Sequence, residues 1–120
     1  MKKIIYITGD QVYIHGSVRI IENCDGYYAT FYDEYERLQE VNVNVIENIP
    51  LTPKMLEKSG WKITITDVTM YHKDGLTILE ANNDGSLHFI CNNINVTLES
   101  VSDLQHLLFA FHRDNNKIDV

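Results

Sequence analysis

The run Ile49-Pro50-Leu51-Thr52-Pro53-Lys54-Met55-Leu56-Glu57-Lys58-Ser59-Gly60-Trp61 specifies a short helix from both ends. Thr52 is a good N-cap, because its hydroxyl can accept from an N–H that the first turn leaves unpaired. Pro53 falls at the first helical position, where its missing N–H costs nothing. Leu51, ahead of the cap, can pack on Leu56 as a hydrophobic staple. Gly60 suits the left-handed position past the end, and Trp61 beyond it can fold back on Leu56. The pattern predicts a helix over about 53–59. This helix divides a strand-rich first half from a strand-then-helix second half, and it carries no chemistry of its own.

The first half reads as short strands. Lys3–Ile7 and Gln11–Ile14 are brief, the second ended by His15-Gly16, and Ser17–Asn23 follows. Asp25-Gly26 is a hairpin signal, since both residue types tolerate positive φ. The chain resumes as an aromatic strand over Gly26–Tyr32. Val41, Val43 and Val45 alternate with Asn42 and Asn44, the period of a half-buried strand. Asp33–Glu40 fits either a turn of helix or a wide acidic loop. Closely spaced short strands of this kind predict a small SH3-like barrel over residues 1–50.

The second half, 51–120, is predicted to pack as one unit. Trp61, Ile63 and Ile65 alternate with Lys62, Thr64 and Thr66 in a strand running to Tyr71. Asp74-Gly75, Asp84-Gly85 and Asn92-Asn93 then turn the chain into Leu76–Glu80, Ser86–Cys91 and Ile94–Leu98, a four-stranded antiparallel meander. Ser102-Asp103-Leu104-Gln105 matches a capping box. Leu104, Leu107, Leu108 and Phe111 form an apolar stripe at i, i+3, i+4 and i+7, so a final helix is expected to lie across the meander.

Composition narrows the function. The chain of 120 residues has 10 basic and 17 acidic side chains, a formal charge of −7. Between Glu22 and Glu47 the only basic residue is Arg37. Neutralising phosphates requires Lys and Arg, so this balance disfavours nucleic-acid partners. A 44% apolar fraction is that of an ordinary globular protein, with disorder expected only at the tail Asp114–Val120. Cys24 and Cys91 have no CxxC neighbour, which argues against zinc or redox spacing. The apolar start Ile4-Ile5-Tyr6-Ile7 is too short for a secretion signal, and no segment approaches the ~20 apolar residues of a membrane span. The expectation is a soluble, cytoplasmic protein that makes no membrane contact.

Candidate chemistry is sparse. His106 and His112 are offset by about 600° of helical rotation, so they share no face, and no metal site is expected. Paired carboxylates such as Asp33-Glu34 have nothing to set one apart as acid and the other as base. There is no nucleophile elbow, Walker loop or dinucleotide glycine set. Asn82-Asn83-Asp84-Gly85 echoes a calcium loop but lacks its bidentate Glu. No cofactor and no catalytic residue are expected. What stands out is an aromatic patch in an acidic setting: Tyr27, Tyr28, Tyr32 and Tyr35, with Phe31. Some of this set must be core; the rest is a candidate surface for a protein partner or for self-association.

Three segments resemble one family. Ile49–Trp61 is similar to the "PIPLTEEILEKNGF/W" signature of small phage and prophage proteins of Bacteroides-type bacteria. Leu104-Gln105-His106-Leu107-Leu108-Phe109-Ala110-Phe111 resembles their closing "VHELQHLLFAL" helix, and Gly9-Asp10-Gln11-Val12 their "GDYV" opening. Ser102-Asp103 departs from the His-Glu or His-Gln that usually precedes the shared Leu-Gln. The family has no established activity, so the resemblance implies a mobile-element context and no mechanism.

The sequence therefore predicts an α+β protein acting as a non-enzymatic binding or assembly module, with Tyr27–Glu36 as its contact segment. A nucleic-acid-binding small barrel and a small-molecule enzyme are the alternatives.

Overall fold

The computed structural model describes residues 5–111 and 117–120. The described residues form an α+β fold, with two five-stranded antiparallel sheets and two α-helices, and the chain divides into two compact units. The first comprises residues up to Ile49 together with Ser100–Lys117; the second comprises Pro50–Glu99 with Ile118–Val120.

The first unit contains β1 (Gln11–Ile14), β2 (Ser17–Cys24), β3 (Tyr28–Tyr32), β4 (Leu38–Asn42) and β5 (Ile46–Asn48), in the order β4-β3-β2-β1-β5. His15 and Gly16 turn β1 into β2 with φ of 52° and 81°, the conformation a two-residue hairpin needs. A register shift between Ile21 and Asn23 bends β2, whose first half pairs with β1 and second half with β3. The sheet is not closed into the barrel expected for residues 1–50. The chain leaves β4, on one edge, through a single 3₁₀ turn at Val43–Val45 and enters β5, which pairs with β1 on the opposite edge.

That turn also corrects the valine alternation. Asn42 accepts from the N–H of Asn44 at 2.9 Å, so its side chain caps a turn instead of extending a strand. Val43 is buried, whereas Val45 is exposed. Of the expected strand Lys3–Ile7, Lys3 and Ile4 lie outside the described residues, and Ile5–Ile7 is irregular. The core is Tyr6, Val12, Ile14, Ile21, Ala29, Phe31, Val43 and Ile46.

The helix α2 (Val101–Ala110) belongs to this unit, packed on β1, not to the meander as expected. Its capping box is Ser100 with Asp103: the Asp103 N–H donates to Ser100 Oγ at 3.1 Å, and the Ser100 N–H donates to Asp103 Oδ2 at 3.0 Å. The predicted box began two residues late. The buried face shifts with it, to Val101, Leu104, Gln105 and Leu108, and leaves Phe111 exposed. Burying each aliphatic side chain on that face contributes about 1.5–3 kcal/mol.

In the second unit α1 (Pro53–Lys58) ends as the sequence predicts. Met55 N–H donates to Thr52 Oγ1, Gly60 N–H to the Glu57 carbonyl and Trp61 N–H to the Leu56 carbonyl, the paired bonds of a Schellman C-cap. Then come β6 (Lys62–Ile65), β7 (Thr69–Lys73), β8 (Leu76–Glu80), β9 (Leu87–Cys91) and β10 (Ile94–Leu98), a meander of five strands instead of four. The expected long strand from Trp61 breaks at Thr66–Val68, where the Thr66 N–H donates to the Val68 carbonyl and Asn82 Nδ2 to the Asp67 carbonyl. Ile63 and Ile65, which the alternation puts on one face with Trp61, are exposed on edge strand β6. Trp61, Tyr71, Ile78, Leu87 and Phe89 are buried. In the tail expected to be disordered, Asp114–Asn116 lie outside the described residues; Ile118 is buried, and the Asp119 N–H donates to Ser59 Oγ at 2.8 Å.

Candidate functional site

All four sequence-singled tyrosines sit in the first unit and are exposed: Tyr27, Tyr28, Tyr32 at 53% and Tyr35 at 72%. The pleat of β3 does the sorting. Ala29 and Phe31 point into the core, so Tyr28, Thr30 and Tyr32 point out. On the neighbouring strand Asn42, Glu40 and Leu38 lie opposite Tyr28, Thr30 and Tyr32 on that same outward face. Leu38 is 56% exposed. Glu40, opposite Thr30, therefore takes the register position diagonal to both Tyr28 and Tyr32, the spacing at which long side chains can reach one another.

The two remaining tyrosines are carried by loops at the two ends of β3, and a single Asp organises each loop. Asp25 Oδ1 accepts from the N–H groups of Tyr27 and Tyr28, both at 2.8 Å. Asp33 Oδ1 accepts from Tyr35 N–H at 2.8 Å and Arg37 N–H at 3.0 Å, while Gln39 Nε2 donates to Oδ2. These donors, the Arg37 N–H first, hold the Asp33 carboxyl below its ordinary range. The segment 33–37 is thus a structured turn, with Glu36 at φ 60°, neither the helical turn nor the wide loop the sequence allowed.

Guanidinium groups already touch this region twice. The Arg37 guanidinium lies 5.7 Å from the centroid of the Tyr35 ring. Arg19 donates to Glu34 Oε2 at 2.7 Å and lies 5.8 Å from the Phe31 ring centroid. Backbone hydrogen bonding, then the Arg19 contact, lower the Glu34 carboxyl.

A second cluster, which the sequence reading did not assign, joins α2 to β1. Gln105 has no exposed surface; its Oε1 accepts from the Gln11 N–H at 2.7 Å, and its Nε2 donates to the Gly9 carbonyl and to Gln11 Oε1. One residue on, His106 Nε2 lies 2.6 Å from Asp10 Oδ2, which also accepts from the Ile7 N–H. Asp10 is fully buried and its Oδ1 has no partner among the described residues. Burial pushes its carboxyl above the ordinary value, against the lowering effect of His106 and Ile7. The available sequence signal was a glutamine inside an apolar helical stripe, a position that demands a buried polar partner.

On the second unit, Ser86 Oγ lies 2.7 Å from His88 Nε2, and His88 Nδ1 lies 3.1 Å from Asn95 Oδ1. This has the outline of an activated serine. However, the adjacent amides of Gly85 and Ser86 bond to the Ala81 carbonyl and to Asp84 Oδ1, so neither is left for an oxyanion. Hydrogen bonding from Ser86, its hydroxyl first, holds the Asp84 carboxyl below its ordinary range. The array is a turn staple. Among the described residues no three His, Cys, Asp or Glu side chains are placed to hold a metal, and no helix is long and apolar enough to cross a membrane.

Together these features define an α+β protein with a clamped N-terminal sheet that displays an aromatic strand in an acidic surround. No protein-family model, curated protein or solved structure matches the chain.

Proposed function

We propose that this chain is a non-enzymatic binding or assembly module, cytoplasmic and of phage or mobile-element origin as its motif resemblances imply. It engages another protein through the outward face of β3 and β4 and the flanking loops, with Tyr27, Tyr28, Tyr32 and Tyr35 as the contact residues. The observation that carries this reading is the pleat of β3: its small and apolar alternates are buried while both strand tyrosines lie open. Tyrosine is favoured at interface centres because it buries a large ring at little entropic cost and keeps a hydroxyl for hydrogen bonding. Asp25 and Asp33 fix the loops beforehand, which reduces the ordering cost of binding. The carboxylates around the face oppose a phosphate backbone as the ligand.

The test compares wild type with Tyr28→Ala/Tyr32→Ala in co-purification and in sedimentation of the isolated protein, with the fold checked by circular dichroism. Loss of a specific partner or of self-association in the folded double variant is the expected result. Identical associations in both proteins would remove the assignment.

A further inference from the structure

We infer that the face displayed by β3 and β4 receives an extended, arginine-bearing segment of a partner protein, laid along the open edge of β4. The inference rests on the binding reading above and names the chemistry of the ligand. Four observations converge on it.

β4 ends the sheet order, so among the described residues no strand neighbours one side of its backbone, and its residues Leu38–Glu40 are exposed. Such an edge accepts an added strand through main-chain hydrogen bonds, and alternate side chains of that strand then supply specificity. The side chains it would meet are Leu38 and Glu40, backed by Tyr32 and Tyr28. An exposed carboxylate diagonal to two exposed tyrosines supplies groups of both kinds a guanidinium prefers, an acceptor for a forked hydrogen bond and an aromatic ring to stack on.

Near this face, though not on it, the chain's own arginines already use each kind of contact: Arg37 lies over the Tyr35 ring, and Arg19 pairs with Glu34 and lies over the inward-facing Phe31 ring. Among the described residues Glu40 makes no ion pair, and Arg37 is the only basic residue between Glu22 and Glu47. Charge also argues against a second copy as occupant: the face carries Glu40 in a stretch, 22–47, whose only basic residue is Arg37, so two copies would oppose like charges. Arginine is preferred to lysine because an ammonium is a compact, strongly hydrated charge that neither forks nor stacks.

The experiment uses the full chain and three synthetic peptides of alternating sequence, in which threonine alternates with arginine, lysine or valine. Binding is followed by fluorescence anisotropy at low and moderate salt. The arginine peptide should bind at least about fivefold more tightly than the lysine peptide, an excess that reflects stacking and forked bonding over charge alone. Glu40→Gln and Tyr32→Ala should each weaken it by about fivefold or more, whereas Glu57→Gln, the same charge change on the other unit, should leave it unchanged. Equal affinity for arginine and lysine peptides, equal effects of Glu40→Gln and Glu57→Gln, or no binding of the arginine peptide would each overturn the inference. Binding of the valine peptide alone, lost in Tyr28→Ala/Tyr32→Ala, would sink the arginine proposal while leaving the binding-module reading intact.

Discussion

His106 Nε2 lies 2.6 Å from Oδ2 of Asp10, a carboxylate with no exposed surface whose other oxygen has no partner among the described residues. The pair links the last helix to the residue that precedes the first strand. Burial is the largest influence on Asp10 and raises its pKa from 3.8. The folded state therefore holds this proton more tightly than the unfolded state does. Between the ordinary value and the raised one, the Asp10 contribution to stability falls as pH rises. Asp33, Glu34 and Asp84 are shifted the other way, and their contributions are lost as pH falls. Asp10→Asn keeps an acceptor for the Ile7 N–H and removes the titration. Urea midpoints measured across about pH 4–7 should lose only the Asp10 slope in this variant. Parallel profiles for the two proteins would count against a strained Asp10.

Gln105 carries the other half of the clamp. Gln105→Leu fills the space but leaves the Gln11 N–H and the Gly9 carbonyl without their side-chain partner in a buried setting. The expected cost is about 2–4 kcal/mol in equilibrium urea unfolding. A cost no larger than that of an ordinary surface substitution would show that the amide does not bridge helix and sheet.

The position of the α2 cap is open to a direct comparison. Ser100→Ala should destabilise by about 1 kcal/mol, as N-cap losses do. Ser102 lies inside the first turn, where its Oγ lies 3.1 Å from Ser100 Oγ and caps no backbone N–H among the described residues. Ser102→Ala should therefore cost less than Ser100→Ala in thermal denaturation. The reverse order would restore the later helix start read from the sequence.

Tyr71 offers a spectroscopic check on the second unit. Burial, then the hydrogen bond its hydroxyl donates to Glu80 at 2.9 Å, push its pKa up to about 12. A raised phenol pKa stabilises the fold fully below the ordinary value near 10 and is lost as pH rises towards 12. Ultraviolet titration should show a late-ionising tyrosine that disappears in Tyr71→Phe. A titration curve that changes only near pH 10 in the variant would contradict the buried hydrogen bond.

Legibility followed the range of the interactions. The α1 helix was readable because Thr52, Pro53 and Gly60 act within a few residues of the groups they satisfy. The turns at His15-Gly16 and Asp74-Gly75 were readable for the same reason, since positive φ is a local requirement. The errors arose where one local signal competed with another. Asn42 looked like the solvated member of an alternating strand and is a cap. Ser102 looked like a cap and lies inside a helix whose cap is Ser100. Trp61, Ile63 and Ile65 kept the period of two, but the edge position of β6 left the last two uncovered. Whether the tyrosines were core or surface could not be told from composition; the phase of the β3 pleat decided it, by burying Ala29 and Phe31.

By itself, then, the sequence determined the α+β class, the capped helix, most hairpin turns and the aromatic–acidic segment, all set by contacts between near neighbours. Only the tertiary structure decided that the N-terminal sheet stays open, that the meander has five strands and that α2 packs on β1. The physical reason is visible at Gln105 and His106. Their partners Gly9, Asp10 and Gln11 lie 94–96 residues away in the chain, beyond the reach of any periodicity. An amphipathic stripe states that a helix must bury one face, and its polar members become informative only when the structure shows which buried groups they satisfy.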